Sequence, residues 1–163
     1  MAHMARTKVC KTAAEFAVDL ERAAQLFTTQ SVRDTTVAVA LELVRNVSLR
    51  TPADTGRARA SWNIAEGAID RSVQPEAAGD QKIPEKEYDG KGLTGQSVIY
   101  VSNSLPYIES LEYGLYPEDV KRGTWNKRTK KWEKRSEGGF SKQAPTGMLR
   151  IAIRELQRKV GRK

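Results

Sequence analysis

One segment of the sequence comes close to a nucleotide-binding motif. Gly90-Lys-Gly-Leu-Thr-Gly-Gln-Ser97 has the glycines of a phosphate-binding P-loop, but Gln96 stands where that motif requires lysine. A P-loop also follows a strand and opens a helix, whereas a polar stretch precedes this segment and a strand-like stretch follows it. The segment therefore predicts an ordinary loop, and we expect neither a nucleotide nor any other cofactor.

The residues needed for other catalytic chemistry are scarce. The chain has a single histidine, His3, and a single cysteine, Cys10, which argues against a histidine-based dyad and against a histidine-bearing metal site. Glu109 and Glu112 stand one helical turn apart, but general acid–base catalysis needs a pocket that separates the two pKa values, and no pattern here implies one. We expect a solvated or interface helix face at these carboxylates, no metal site and no enzymatic activity.

Basic residues concentrate in the C-terminal third of the chain. Residues 1–120 hold 13 Lys and Arg against 17 Asp and Glu, whereas residues 121–163 hold 15 against 3. A hairpin in this basic part would place two indoles on one side and form a candidate interface of Trp125, Lys127, Arg128, Lys130, Lys131 and Trp132. Such a composition suits single-stranded nucleic acid, which stacks on aromatic rings, and it suits an acidic protein partner equally well.

The elements that must position these residues follow from hydrophobic spacing. Apolar residues at intervals of three and four follow the capping-box sequence Thr12-Ala-Ala-Glu15 and continue to Phe27. A second start signal, Ser31-Val-Arg-Asp34, leads a helix to Arg50, and the spacing leaves open whether the two form one bent helix. Pro52 then biases the preceding residue away from helical geometry and ends this part.

Two strands and a short helix are predicted in the middle of the chain. The strands cover residues 62–69 and 96–103, and the helix runs from Tyr107 to Tyr113. A last helix opens at Pro145. The predicted fold class is α+β, with N-terminal helices, a small, mostly antiparallel sheet with long loops, and a C-terminal helix.

A length of 163 residues predicts one domain that covers the whole chain. We expect residues 1–11 to be disordered and residues 70–95 and 115–143 to form long loops, with Gly138-Gly139 loosening the chain. The sequence has no apolar stretch of about 18 residues, so we expect no membrane span.

Three short motifs stand where these elements begin or end. They run from Thr51 to Trp62, from Pro106 to Gly114, and from Ala144 to Arg150. In this order they resemble the tailed-phage tail-completion or neck proteins, a family of lambda Z-like minor tail components. The positions that carry the resemblance are Thr51, Pro52, Asp54, Thr55, Gly56, Ser61, Trp62, Pro106, Tyr107, Glu112, Gly114, Ala144, Pro145 and Arg150.

The resemblance implies a structural role. It implies a virion protein, made in the host cytoplasm, that completes the head-proximal end of the tail tube and enables head–tail joining. It further implies a homo-oligomeric ring, hexameric by family analogy, that contacts tail-terminator, tail-tube or head–tail connector proteins and leaves room for non-specific contact with packaged DNA. The residues themselves keep an alternative open, a nucleic-acid-binding accessory protein that uses the basic C-terminal third.

Overall fold

The structure is a computed structural model that describes residues 13–75, 86–117, 122–126 and 129–161. The predicted disorder of residues 1–11 lies outside the described residues, as do the middle of the predicted 70–95 loop and two members of the candidate interface, Lys127 and Arg128.

The N-terminal part is one continuous helix, α1, which covers Ala13–Arg50. Its 38 residues span about 57 Å at a rise of 1.5 Å per residue. The polar stretch after Phe27 does not break the helix, and within it the hydroxyl of Thr28 bonds back to the carbonyl of Ala24 at 2.9 Å. Within the described ranges, no helix is both long and apolar enough to reach across a bilayer.

The hydrophobic core lies against the second half of α1. Helix α2, Arg57–Ala60, and helix α3, Ile108–Tyr113, each bury one apolar residue there. The C-terminal helix α4, Leu149–Val160, packs along α1. The core cluster consists of Val44, Val47, Ala58, Trp62, Leu105, Leu111, Ala144, Met148 and Ala152.

Two ion pairs also join α4 to α1. Arg50 contacts Glu155, and the ammonium of Lys159 lies 2.5 Å from a carboxylate oxygen of Glu42. All four side chains are about a third or more exposed, so each pair contributes at most about 1 kcal/mol. Apolar packing rather than these pairs therefore holds the two helices together.

The described strands confirm the α+β class, and they form three separate antiparallel sheets of two strands each. In chain order the pairs are β1 Asn63–Glu66 with β2 Ile99–Ser102, β3 Thr124–Asn126 with β4 Lys131–Glu133, and β5 Ser136–Glu137 with β6 Phe140–Ser141. The first pair lies within the two predicted strands but is shorter, since Gly67 has a φ of 74° directly after β1.

Gly138-Gly139 does not loosen the chain, contrary to the prediction. The two residues have φ angles of 55° and 77° and form the two-residue turn of the β5–β6 hairpin. A β-carbon on Gly139 would lie 2.0 Å from the carbonyl oxygen of Gly114, so the turn is packed against the end of α3. The part of 115–143 that the structure describes thus contains two hairpins.

Candidate interaction site

The first motif closes the joint between the end of α1 and strand β1. The buried hydroxyl of Thr51 donates to the carbonyl of Val47 at 2.7 Å and accepts from the indole N–H of Trp62 at 2.9 Å. The Trp62 side chain is itself buried, so its N–H would lack a partner without this hydroxyl. Thr51 and Trp62 are therefore structural residues that depend on each other.

Between these two residues the motif makes a turn and helix α2. Gly56 precedes α2 with a φ of 79°, a conformation that costs glycine little. The hydroxyl of Ser61, also buried, donates to the carbonyl of Arg57 at 2.8 Å and accepts from the amide of Gln74 at 3.2 Å. The hydroxyls of Thr51 and Ser61 thus satisfy backbone groups at this joint.

Glu112 corrects the prediction of a solvated or interface carboxylate, because its side chain is only 9% exposed. The carboxylate accepts the backbone N–H groups of Met148, Leu149 and Arg150 at 2.7, 2.8 and 3.1 Å. These amides begin α4, where the first N–H groups have no partner within the helix. Glu112, supplied by α3, is therefore the cap of α4.

Arg150 completes this cap from the α4 side. Its Nε–H donates to the Glu112 carboxylate at 2.9 Å, and its Nη2 donates to the Glu112 carbonyl at 2.7 Å. Its guanidinium also lies 4.9 Å from the centre of the Tyr113 ring, within cation–π range. The last residue of the third motif thus binds the second motif directly.

The charge of Glu112 is set by these contacts. Burial raises the pKa of the carboxyl. The amides of α4 and the Arg150 guanidinium lower it by more than burial raises it, so the pKa lies below its ordinary value. Glu109, one turn earlier on α3, is exposed to solvent. The two carboxyls therefore share no pocket, and Glu112 acts as a fixed structural anion.

Pro145 does not open the last helix, which corrects a second prediction. Helix α4 begins at Leu149, four residues later, where Glu112 rather than proline satisfies the first amides. Ala144 is buried in the core and Pro145 is exposed beside it. Most of the third motif therefore precedes the helix, and of Ala144, Pro145 and Arg150 only Arg150 lies within α4.

The two ends of the second motif lie in different surroundings, one exposed to solvent and the other packed against a hairpin. Pro106 and Tyr107 are exposed just before α3. Gly114 ends α3 with a φ of 69°, as predicted, and a β-carbon there would lie 2.4 Å from the ring of Phe140. This close approach lets the β5–β6 hairpin pack on the end of the helix.

Hydrogen bonds from two side chains join the first motif to the segments that shortly precede the other two motifs. Asn103 donates to the carbonyl of Ala58 at 2.9 Å, and Gln143 exchanges hydrogen bonds with the backbone of Ala53 at 2.8 and 3.3 Å. Sequence reasoning missed Asn103 and Gln143, because a single polar residue outside a motif gives no periodic signal. The three motifs therefore surround one core.

A cleft of about 820 Å³ opens between the turn of the first motif and the base of the β3–β4 hairpin. An ion pair of 2.6 Å between Asp54 and Arg135 links its two sides. The lining also includes Pro52, Thr55, Arg57, Tyr107, Tyr116 and Lys134. Burial, with a smaller contribution from Tyr107, raises the pKa of Tyr116, so its hydroxyl stays protonated.

The cleft is lined by hydrogen-bonding groups and by charges of both signs. In the part of the chain that the structure describes, no group of three or more His, Cys, Asp or Glu residues could hold a metal ion. The P-loop-like segment is irregular, as predicted, and its Lys91 pairs with Asp89 at 2.8 Å.

The predicted hairpin with two indoles on one side is confirmed. Trp125 lies opposite Trp132 in the register of β3 and β4, and their rings meet edge to face with centroids 5.7 Å apart. On the other side, Glu133 accepts from Asn126 at 2.7 Å and from Thr129 at 2.5 Å. Both indoles are about half exposed, at 44% and 56%.

The lysines that the structure describes in the hairpin are exposed, and Lys131, which precedes Trp132 in the strand, lies on the face opposite the indoles. Lys130 has a φ of 52° in the connection between the strands, Lys131 opens β4, and Lys134 follows it. We call residues 122–126 and 129–134, which carry the indole pair and these lysines, the Trp hairpin.

A second exposed apolar surface was not predicted. The first half of α1 extends beyond the core, and its apolar side chains lie open to solvent: Val18, Leu20, Leu26, Phe27 and Val32. We call residues 17–32 the arm. The spacing correctly predicted a helix here, but the exposed apolar residues of the arm lie around the whole helix rather than on one face.

Comparison with known proteins finds no relative. No family model matches the sequence, and neither a curated protein nor a solved structure matches it. The contacts described above are the observations from which a function can be argued.

Proposed function

We propose that this chain is a structural virion protein of a tailed phage. It completes the head-proximal end of the tail tube and enables head–tail joining by assembling into a ring with copies of itself. Its partners are then tail-terminator, tail-tube or connector proteins. Its action is binding, and no chemical step is required of it.

The observation that carries this proposal is the place of the motif residues. The motifs that resemble the phage family supply the joints of the fold, with Thr51 bonded to Trp62 and Glu112 capping the helix of Arg150. A set of motif residues that fixes a scaffold is what a shape-dependent assembly protein needs.

The two exposed apolar surfaces support assembly. Phe27 of the arm is 75% exposed and Trp132 of the Trp hairpin is 56% exposed. Clusters of exposed apolar side chains on a soluble chain mark surfaces that bind other proteins. A ring subunit needs two such surfaces, because each copy contacts one neighbour on either side.

Imaging of tails tests the proposal. Tails would be purified from a phage that lacks this protein and mixed with heads, with and without the purified chain. We expect tails that join heads only after the protein is restored, with the protein located at the head-proximal end. An E109Q variant, changed at an exposed carboxylate, is the matched control and should restore joining fully. Normal joining without the protein would refute the proposal.

The Trp hairpin favours a second candidate function, binding of single-stranded nucleic acid. The hairpin carries two half-exposed indoles, which provide stacking surfaces, and the exposed Lys130 and Lys131, which provide positive charge. This function predicts quenching of tryptophan fluorescence by an oligonucleotide, with an affinity that falls steeply as salt rises because counterions are released. An absence of quenching at low salt would exclude it.

A further inference from the structure

Arginine recurs at every fourth position from the start of the C-terminal helix: Arg150, Arg154, Arg158 and, beyond the described residues, Arg162. Residues four apart lie on one ridge of a helix, each about 6 Å further along the axis. Residues 150–163 together hold six basic residues against one acidic residue. We call Arg150, Arg154 and Arg158 the arginine ridge of α4.

The arginine ridge lies on the side of α4 that is turned away from α1. Ala152 is buried in the core, and the side chains of Glu155 and Lys159 form the two ion pairs with α1. At 100° per residue, the ridge is centred about 130° around the helix from these three residues. All three arginines of the ridge are exposed, which agrees with that position.

Much of the positive charge of the ridge is uncompensated. Arg154 and Arg158 form no ion pair and no side-chain hydrogen bond with any residue that the structure describes. Arg150 uses two of its five N–H donors on Glu112, and its side chain remains 48% exposed. An anion that approaches this face therefore meets available guanidinium groups.

The composition of this face suits phosphate groups better than a protein surface or a lipid bilayer. Protein interfaces are centred on apolar and aromatic anchors, but the exposed apolar residues of α4, Ile153 and Val160, lie about 100° or more around the helix from Arg154. A helix that lies in a bilayer interface needs a free apolar face, whereas that of α4 is packed on α1. Arginine binds phosphate in a bidentate geometry and keeps its charge at any working pH.

The geometry of the ridge suits a duplex better than a single strand. Single strands bind by stacking their bases on aromatic rings, but the ring next to the ridge, Tyr113, has the guanidinium of Arg150 4.9 Å from its centre. A duplex carries one phosphate charge per about 1.7 Å of its axis. The ridge is about 12 Å long, so it passes about seven such charges and needs no particular register.

We infer that the arginine ridge of α4 binds the phosphate backbone of a nucleic acid duplex, without regard to base sequence. This inference goes beyond the proposed function, because one copy of the chain suffices for it. It also uses a surface other than the Trp hairpin.

The salt dependence of duplex binding tests the inference. A labelled DNA duplex of about 30 base pairs, and an RNA duplex of the same length, are titrated with the full chain at about 50 to 200 mM salt and followed by fluorescence anisotropy. The logarithm of the association constant should fall linearly with the logarithm of salt, with a slope of about 0.9 per phosphate contacted. The duplex that binds more tightly identifies the source of the phosphates, and either one supports the inference.

Replacing the two unpaired arginines should reduce both affinity and slope. R154Q with R158Q should make the slope shallower by about 1.8 and weaken binding at the lowest salt by more than about tenfold. R154K with R158K keeps the charge and should keep the slope. The matched control is R22Q with R71Q, which removes two exposed arginines elsewhere and should change the slope by less than about 0.5. Circular dichroism and urea unfolding verify that all these variants fold.

Four results would overturn the inference. The first is an unchanged chain that binds neither duplex, and the second is an R154Q and R158Q variant that binds as tightly as the control. The third is a loss of duplex binding in K130Q with K131Q but not in the ridge variant, which would place the phosphate contacts on the Trp hairpin. The fourth is a polyglutamate that binds the ridge as tightly as the duplex does, which would make the partner an acidic protein.

Discussion

Glu112 allows a sharp test of how the motifs hold the fold. Replacement by glutamine keeps the size of the side chain but removes its charge and one of its two acceptor oxygens. The remaining amide oxygen cannot serve the amides of Met148, Leu149 and Arg150 together, and the new NH₂ group is a donor placed against donors. E112Q should therefore loosen the first turn of α4.

The expected magnitude follows from the bonds that are lost. A hydrogen bond to a charged group contributes about 1.5 to 3 kcal/mol, and a helix cap about 1 kcal/mol. Because glutamine still accepts from one or two amides, we expect a loss of about 3 kcal/mol. For a chain of this size, this loss lowers Tm by roughly 6 to 12 °C.

The assay is urea and thermal unfolding of E112Q beside E109Q from pH 7 to pH 3. The pKa of Glu112 is lower in the folded chain than its ordinary value of 4.5, so its stabilisation is present above that value and is lost as pH falls through the folded pKa. The gap between the unchanged chain and E112Q should therefore close as the pH is lowered below the folded pKa. E109Q should stay within about 0.5 kcal/mol of the unchanged chain at neutral pH.

Two results would refute this reasoning. If E112Q were as stable as E109Q at neutral pH, the cap would contribute nothing to the free energy of unfolding. If the gap persisted unchanged to pH 3, the loss would come from altered packing rather than from the carboxylate charge.

Other contacts give three further predictions. T51V should lose about 1 to 3 kcal/mol in urea unfolding, because the buried Trp62 N–H loses its acceptor; equal stability would contradict that role. G139A should lower Tm more than G138A, since its β-carbon would meet a carbonyl 2.0 Å away whereas the neighbouring site is open; equal shifts would contradict the packed turn. E42Q should cost less than about 1 kcal/mol in the same assay, because its ion pair is exposed; a larger loss would assign the α1–α4 contact to charge.

Local patterns predicted most of the fold. Apolar residues at intervals of three and four predict helices, so α1 and α3 were expected close to where they lie. The Trp hairpin was also predictable, because β3 and β4 are joined by only four residues and pair locally. Gly138-Gly139 misled because the same dipeptide serves flexible linkers and tight hairpin turns, and only its packing on Gly114 distinguishes them.

The capping of α4 could not be predicted. Its carboxylate comes from 36 residues upstream, so no spacing within α4 or α3 indicates the pairing. Pro145 was therefore a plausible start signal. Proline is common in the first turn of a helix, and the sequence near α4 gives no sign that a distant residue caps it. The exposure of the arm could not be predicted either. Apolar spacing predicts a helix whose apolar residues are buried, but it does not indicate what would bury them.

Two backbone hydrogen bonds fix the chain on either side of the Trp hairpin. The chain leaves the scaffold after Tyr116, whose N–H bonds to the carbonyl of Gly139, and returns at Arg135, whose carbonyl accepts the amide of Lys142. Between these two anchors, a doubled length costs only about 0.6 kcal/mol of loop-closure entropy. A different insert between these two anchors would therefore leave the contacts of Thr51, Glu112 and Arg150 unchanged.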